Sequence, residues 1–478
     1  MSTRLARLAL FAGAAAMVAG PALADELRDA LVLAYNTNPA LQAARAQQRA
    51  VDEGVPIARS AGLPSLAGTA TYSEFVEGSS SNPLAPDRNF DASLDLGMPI
   101  YAGGGIKNSI RAAETRVDAG RADLRGVESG VFSDVVAVYM DVILAEAVVK
   151  LNRANVSRLE VNLQATKDRF EIGDLTRTDV AQSASRLATA RGQTRSAEAN
   201  LISARERYIQ IVGKAPENLQ TPPPLVGLPG SADDAVAIAL DANPDLIAAR
   251  QRSKAAGFDT AASGSNRLPR VSVFANTGYN DFLGSNKVAG AVQSTTSSTV
   301  GVRASVPLFQ GGLPAAQKRQ AQAREGATLE QEILIERSVI AGVRSAFAQW
   351  QAALSLIATN QTAVDAAELS LEGVRAENSV GNRTILDILN AENELLAAQV
   401  QLVTAKRNAY VAGFNLLSAM GKAEARDLGL DGGALYDPEV NYRNARGSVW
   451  DWNDNPDPKP LSTRTVDTKA QDGSVTGK

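Results

Sequence analysis

The chain has 478 residues, of which 45% are hydrophobic and 5% aromatic, and a formal charge of −4. It contains no histidine and no cysteine, which excludes imidazole acid–base chemistry, thiol catalysis and the commonest transition-metal ligands, and with them most enzyme classes. A near balance of 48 basic against 52 acidic side chains gives no electrostatic footprint for nucleic acid.

Arg4 and Arg7 precede an apolar run from Leu8 to Gly20, and Ala22-Leu23-Ala24 supplies a small-x-small cleavage pattern. Residues 1–24 are therefore expected to be a secretory signal peptide, cleaved before Asp25, on a chain that is exported. The alternative, an uncleaved anchor, would need an apolar run of ~20 residues, longer than this one. With no cysteine near the cleavage site, no lipid anchor is expected on the mature N-terminus.

A helical pattern spans about 39–61 and is followed by two strands. The first lies near 64–76. In the second, FDASLDLGMPI, Phe90, Ala92, Leu94, Leu96, Met98 and Ile100 share one face, with Asp91, Ser93 and Asp95 on the other. A polar loop, EGSSSNPLAPDRN, joins them. After MPIYAGG the period becomes helical from about 106 to 171, with a seam of Val131, Val135, Val138, Val142, Ala145 and Val149. A second helix, about 176–212, returns with seam Leu187, Ala190, Thr194, Ala197, Leu201, Ala204, Tyr208 and Ile211. It is about half as long as its partner. The helix at 39–61 has nearly the missing length, so these two are expected to stack end to end against the long one.

The Pro-rich stretch TPPPLVGLPG ends a linker at 215–230, and the order then begins again. At an offset of 205 residues Asn38-Pro39 falls on Asn243-Pro244, Leu41 on Leu246, Arg45 on Arg250 and Pro64 on Pro269. Further on the offset is 208, and Pro99 meets Pro307, Gly103 meets Gly311, Gly173 meets Gly381, and Asp179 meets Asp387. Residues 25–214 and 231–422 are therefore two copies of one unit. They carry strand hairpins at about 64–101 and 269–309, and helical hairpins at about 106–212 and 314–420. The second long helix repeats the seam at Val339, Val343, Ala346, Trp350, Ala353 and Ile357. Residues 423–478 lie outside the duplication and read as an extended or disordered tail, with Trp450 and Trp452 among Asp, Asn and Pro.

Strands of this alternation, in an exported chain with helices too long for a sandwich domain, suit an outer-membrane barrel. Hydrocarbon tolerates no open sheet edge, and known barrels begin at about eight strands, so four strands must be shared between chains. Three chains would give about twelve strands and leave a water path, where two would give a side-chain-filled interior of about eight. On this reading Pro99, Gly103, Pro307 and Gly311 are couplings that swing the backbone from strand to helix, with Tyr101 and Phe309 at the membrane interface. A phosphate-cradling loop is excluded, because Leu313-Pro314 stands where its Lys would be needed.

The doubled strand-exit motifs, MPIYAGG and VPLFQGG, and the stretch VGNRTILDILNAENELL at 380–396 make the chain resemble the TolC family of outer-membrane efflux and secretion proteins over about 25–422. The resemblance implies a mainly α fold with a β-barrel portion: a homotrimer with a twelve-stranded barrel in outer-membrane lipid, continuing into a periplasmic α-helical tunnel. It implies a passive exit channel for small molecules or polypeptides, without cofactor, catalytic residue or metal. The implied partners are a periplasmic adaptor (membrane fusion) protein and an inner-membrane pump, ABC or proton-driven.

By the same resemblance, Asp387 and the position of Asn390 form the periplasmic constriction, the second carboxylate of the family being replaced here by Asn. Arg383 would latch the entrance against Thr178 and Asp179. Asn378 replaces a tyrosine of that latch, which implies a looser closed state. Gly173 and Gly381 mark the helical tip turns that face the adaptor. The rival from another class is a periplasmic coiled-coil structural or adaptor protein without a pore.

Overall fold

The computed structural model describes residues 26–76, 86–286, 290–430 and 435–475, so the signal-peptide expectation and most of the first polar loop lie outside the described residues. The described elements are α1 (Leu27–Thr37), α2 (Pro39–Asp52), α3 (Gly54–Ser60), β1 (Ser65–Glu74), β2 (Arg88–Ala102), α4 (Gly105–Glu171) and α5 (Arg177–Val212). There follow α6 (Ala232–Ala242), α7 (Pro244–Gly264), β3 (Arg270–Asp281), β4 (Ser294–Ser305), α8 (Leu313–Ser379), α9 (Ile385–Ala419) and α10 (Pro438–Gly447). The same order of elements thus occurs twice. None of the described helices is long and apolar enough to cross a membrane.

The helices α4 and α8 have 67 residues each, roughly 100 Å at ~1.5 Å per residue. Along α4 the seam residues Val131, Val135, Val138, Val142 and Val149 are buried, and Phe132 and Tyr139 thicken it into the main core. Leu187, Ala190, Ala197, Leu201 and Tyr208 of α5 are buried as well.

Helices stack end to end as expected, and asparagine is the joint. The Asn38 carbonyl oxygen accepts from the N–H groups of Ala40 and Leu41, capping α2, while its amide donates to the carbonyl of Ile211 at the end of α5 (2.9 Å). Asn243 repeats the device, capping α7 and donating to the Ala419 carbonyl at the end of α9 (2.9 Å). One side chain thereby satisfies orphan donors of one helix and an orphan acceptor of the next. This is the physical content of the repeated Asn-Pro, whose proline occupies the first helical turn where no donor is lost.

Four helical columns lie side by side: α5 continued by α2 and α3; then α4; then α9 continued by α7; then α8. The four-stranded antiparallel sheet has the order β1-β2-β3-β4. Because α3 leads into β1, β2 into α4, α7 into β3 and β4 into α8, each strand rises from its own column in the same order. Sheet and helical layer therefore end at the same two edges. At one of them, α8 buries only five of its residues where α4 buries 21.

The register puts Leu66, Leu96, Met98, Val273, Ala275, Val300 and Val302 on one face of the sheet, with Tyr72, Phe90 and Tyr279 toward its far end. Most of this apolar face is exposed in the single chain. Its period of two is the one read from FDASLDLGMPI.

Several boundaries differ from expectation. The helix expected at 39–61 is interrupted at Glu53, because Pro56 cannot donate to the Asp52 carbonyl and the chain restarts as α3. Pro99, expected as a coupling out of the strand, lies within it: a bulge between Pro99 and Tyr101 lets the ladder resume as far as Ala102. Pro307 lies beyond its strand, since β4 stops at Ser305 and Val306–Gln310 has no regular structure. Both couplings end in glycine pairs with positive φ, Gly103-Gly104 and Gly311-Gly312, and at Gly103 a Cβ would come within 2.7 Å of the Leu268 Cβ.

The tail is not wholly extended. Asp437 caps α10, whose first residue is Pro438, and α10 packs on α2 and α3, where Asn441 donates to the buried Asp52 (2.8 Å). Further on, Arg205 donates to the carbonyls of Asp472 and Ser474, and Arg153 to that of Gly473, all at 2.9 Å.

Candidate functional site

The two helical hairpins turn at the end remote from the sheet, and both turns are built alike. After α4, the N–H of Gly173 donates to the Phe170 carbonyl and that of Asp174 to the Arg169 carbonyl; after α8, Gly381 donates to Asn378 and Asn382 to Glu377. These are Schellman closures, and both glycines have φ of +83°. The neighbouring Ile172 and Val380 are 80% and 71% exposed, so each turn presents an apolar side chain to its surroundings.

Capping boxes restart both helices. Thr176 donates its N–H (2.9 Å) and hydroxyl (2.7 Å) to Asp179 Oδ2, and the Asp179 N–H returns to the threonine oxygen at 3.3 Å. Thr384 and Asp387 repeat this at 2.9, 2.8 and 3.4 Å. The hydroxyl and then the backbone N–H of Thr176 hold the Asp179 carboxyl below the ordinary aspartate range. For Asp387 the Thr384 N–H comes first, then its hydroxyl, with Arg383 adding a smaller effect in the same direction. Both carboxylates thus carry a structural duty at the first turn of a helix, and in each box both threonine donors end on Oδ2.

Arg383 is engaged within its own turn. It donates through Nε to Glu377 (2.7 Å), which raises its already high pKa, and the Asn378 amide donates to the Arg383 carbonyl (2.7 Å). Among the described residues no bond joins Arg383 to Thr178 or Asp179 of the same chain. Asn390 is exposed on α9 and accepts from Arg186 of α5 at 2.9 Å, a tie between the two copies.

One and a half turns above the Asp387 box lies a clasp that the sequence reading did not pick out. Glu392, 1% exposed, accepts from the Asn162 amide of α4 with both oxygens (2.9 and 3.0 Å) and from Arg375 of α8 (2.8 Å). Its signal was present. Ile385, Ile388, Leu389, Glu392, Leu395 and Leu396 follow helical spacing, which sets a carboxylate in an apolar seam. The capping boxes were likewise legible as T-x-x-D. Among the described residues no group of three or more metal-ligating side chains converges.

A model of the outer membrane efflux protein family matches residues 30–214 and again 235–422. The chain belongs to that family. The efflux protein BepC of Brucella suis is 33% identical over 423 residues, 88% of this chain and 91% of BepC. TolC of Escherichia coli is 28% identical over 428 residues, 85% of this chain and 84% of TolC. Among solved structures, the CmeC outer membrane channel of Campylobacter jejuni superposes with a TM-score of 0.73 at 16% identity, covering 88% of this chain and 89% of that one, and so shares the fold. As an outer membrane efflux protein the chain is a channel component of the Gram-negative outer membrane and not an enzyme. The family model matching twice, on the two copies, agrees with the duplication read from the sequence.

Proposed function

We propose that three copies of this chain close into a passive exit channel, with a twelve-stranded barrel in the outer membrane and a tunnel of twelve helical columns in the periplasm. The observation that carries this is the shared pair of open edges. Both the sheet and the helical layer end at β1 with its column and at β4 with α8, so one rotation seats β4 against the next β1 and covers α8 in the same step. The exposed apolar face of the sheet then meets lipid. Energy comes from partners: an inner-membrane pump, ABC or proton-driven, and a periplasmic adaptor that meets the tips at Gly173 and Gly381. The cargo is small molecules, polypeptides or both.

In this reading Asp387 supplies three carboxylates around the axis and Asn390 adds no charge, so the constriction is a single acidic ring. Arg383 exchanges Glu377 for Thr178 and Asp179 of the neighbouring copy to hold the entrance shut. The test is electrophoretic and electrical. The purified protein should migrate as a heat-stable trimer in mild detergent and conduct in planar bilayers. A water-soluble monomer without conductance would support the pore-less adaptor reading instead.

A further inference from the structure

The polar face of the sheet is layered along its axis. Strand register places Pro99, Ser272 and Arg303 side by side; then Gly97, Phe274 and Gly301; then Asp95, Asn276 and Thr299; and nearest the far end Asp91, Asn280 and Thr295. An aromatic ring on this otherwise polar face is anomalous, and its surroundings are shaped for it. Gly301 has no side chain, and a Cβ there would lie 2.8 Å from the Phe274 Cζ, so the ring occupies space that only glycine leaves free. One layer nearer the helices, the Arg303 guanidinium carbon lies 5.0 Å from the centroid of that ring. Arg303 is exposed and makes no ion pair among the described residues, whereas Asp91 accepts from the Asn89 and Asn280 amides.

A guanidinium carbon 5.0 Å from a phenyl centroid leaves the cation's N–H donors and a π-face open to a ligand. A planar aromatic carboxylate or sulfonate meets both open features at once, stacking on the plane and pairing with the N–H groups. We propose that Arg303 and Phe274, the ring seated over Gly301, form a transient binding station for aromatic anions at the helical end of the barrel. The inference rests on the proposed channel, in which this polar face lines the pore.

The test is block of single-channel current by 2-naphthalenesulfonate, with cyclohexanesulfonate as a probe of equal charge and no π-face. In wild type the naphthyl compound should block reversibly and at lower concentration than the cyclohexyl one. Arg303→Gln should raise the blocking concentration about fivefold, the scale of one exposed cation–π contact. Gly301→Val and Phe274→Leu should each weaken the naphthyl block with the charge retained, and Asp91→Asn should leave it unchanged. Equal block by both probes, no block of a conducting wild-type channel, or block indifferent to Arg303→Gln would overturn the station. A wild-type protein that never conducts would overturn the channel itself and the station with it.

Discussion

Replacing Glu392 by Gln tests whether the clasp above the tips holds the two copies together. The carboxylate is 1% exposed and receives three hydrogen bonds, two from Asn162 and one from Arg375. Glutamine keeps the shape but offers one acceptor oxygen in place of two, and turns an amide toward donors. A hydrogen bond to a buried charged group contributes about 1.5–3 kcal/mol, and removal of one member of a buried ion pair costs about 3–5. Arg375 is 48% exposed on its side chain, so its charge can return to water, and the upper figure does not apply. The expected cost is therefore about 2 kcal/mol, localised where α4, α8 and α9 meet.

Hydrogen exchange followed residue by residue reads such a local cost directly, because the amides of 375–395 exchange by opening of that segment. At ~1.4 kcal/mol per tenfold, their protection should fall roughly thirtyfold in Glu392→Gln. The stacked joint at Asn38 and Asn243 should not change. Glu394→Gln, an exposed neighbour two residues on, is the control and should leave all protection as it was. Unchanged exchange at 375–395 in Glu392→Gln would refute the assignment of the clasp and leave Glu392 a spectator in the seam.

Asn243→Ala removes both the cap of α7 and the donor to Ala419, and should lower stability by about 1 kcal/mol or somewhat more, seen as a reduced unfolding midpoint. Asp387→Asn preserves a capping side chain while removing the charge, so in planar bilayers it should shift the reversal potential toward anions without loss of assembly; an unshifted potential would speak against the acidic ring. The folded-state pKa values of Asp179 and Asp387 are lowered, so their contribution is complete above the unfolded value of about 3.9 and is lost as pH falls through the lower folded values. Tip protection in hydrogen exchange should be flat at neutral and mildly acid pH and decline only below that point. Glu128 has the opposite sign: burial raises its pKa, so its ionised form costs stability that is recovered as pH falls into the window above the ordinary glutamate value. Glu128→Gln should accordingly raise the unfolding midpoint at pH 7, with the gain shrinking as pH drops.

How much was legible follows from which interactions are local. Alternation in FDASLDLGMPI and the valine seam of α4 are set by residues two, three and four apart, so strand, helix and buried face could all be read from the chain. The turns were legible too, because Gly173 and Gly381 and the T-x-x-D boxes act within about six residues. The break at Glu53 was also within reach, since Pro56 is four residues from the carbonyl it fails to serve. What could not be read were pairings that depend on which segments packing brings together: Arg186 with Asn390, Asn162 and Arg375 with Glu392, and Arg205 with the carbonyls of the tail. Nothing in the spacing of those residues relates them, because the columns that carry them are brought together by packing.

The duplication itself explains why such cross-copy ties exist at all. Had the copies remained equivalent, every α4-like helix would have identical neighbours on both sides, and a single chain would have no preferred inner seam. Position 392 corresponds to Ala184 and position 375 to Lys167 under the offset of 208, so copy one carries neither the buried carboxylate nor its arginine. That asymmetry places the clasp at the α4–α9–α8 junction inside one chain, and leaves the outer edges at α8 and α5 without it. A desolvated charged clasp is costly unless every member is satisfied, which discriminates against exchanging the internal seam for the external one. The substitutions that differ between the copies therefore do what the shared residues cannot: they tell the inside of a protomer from its edge.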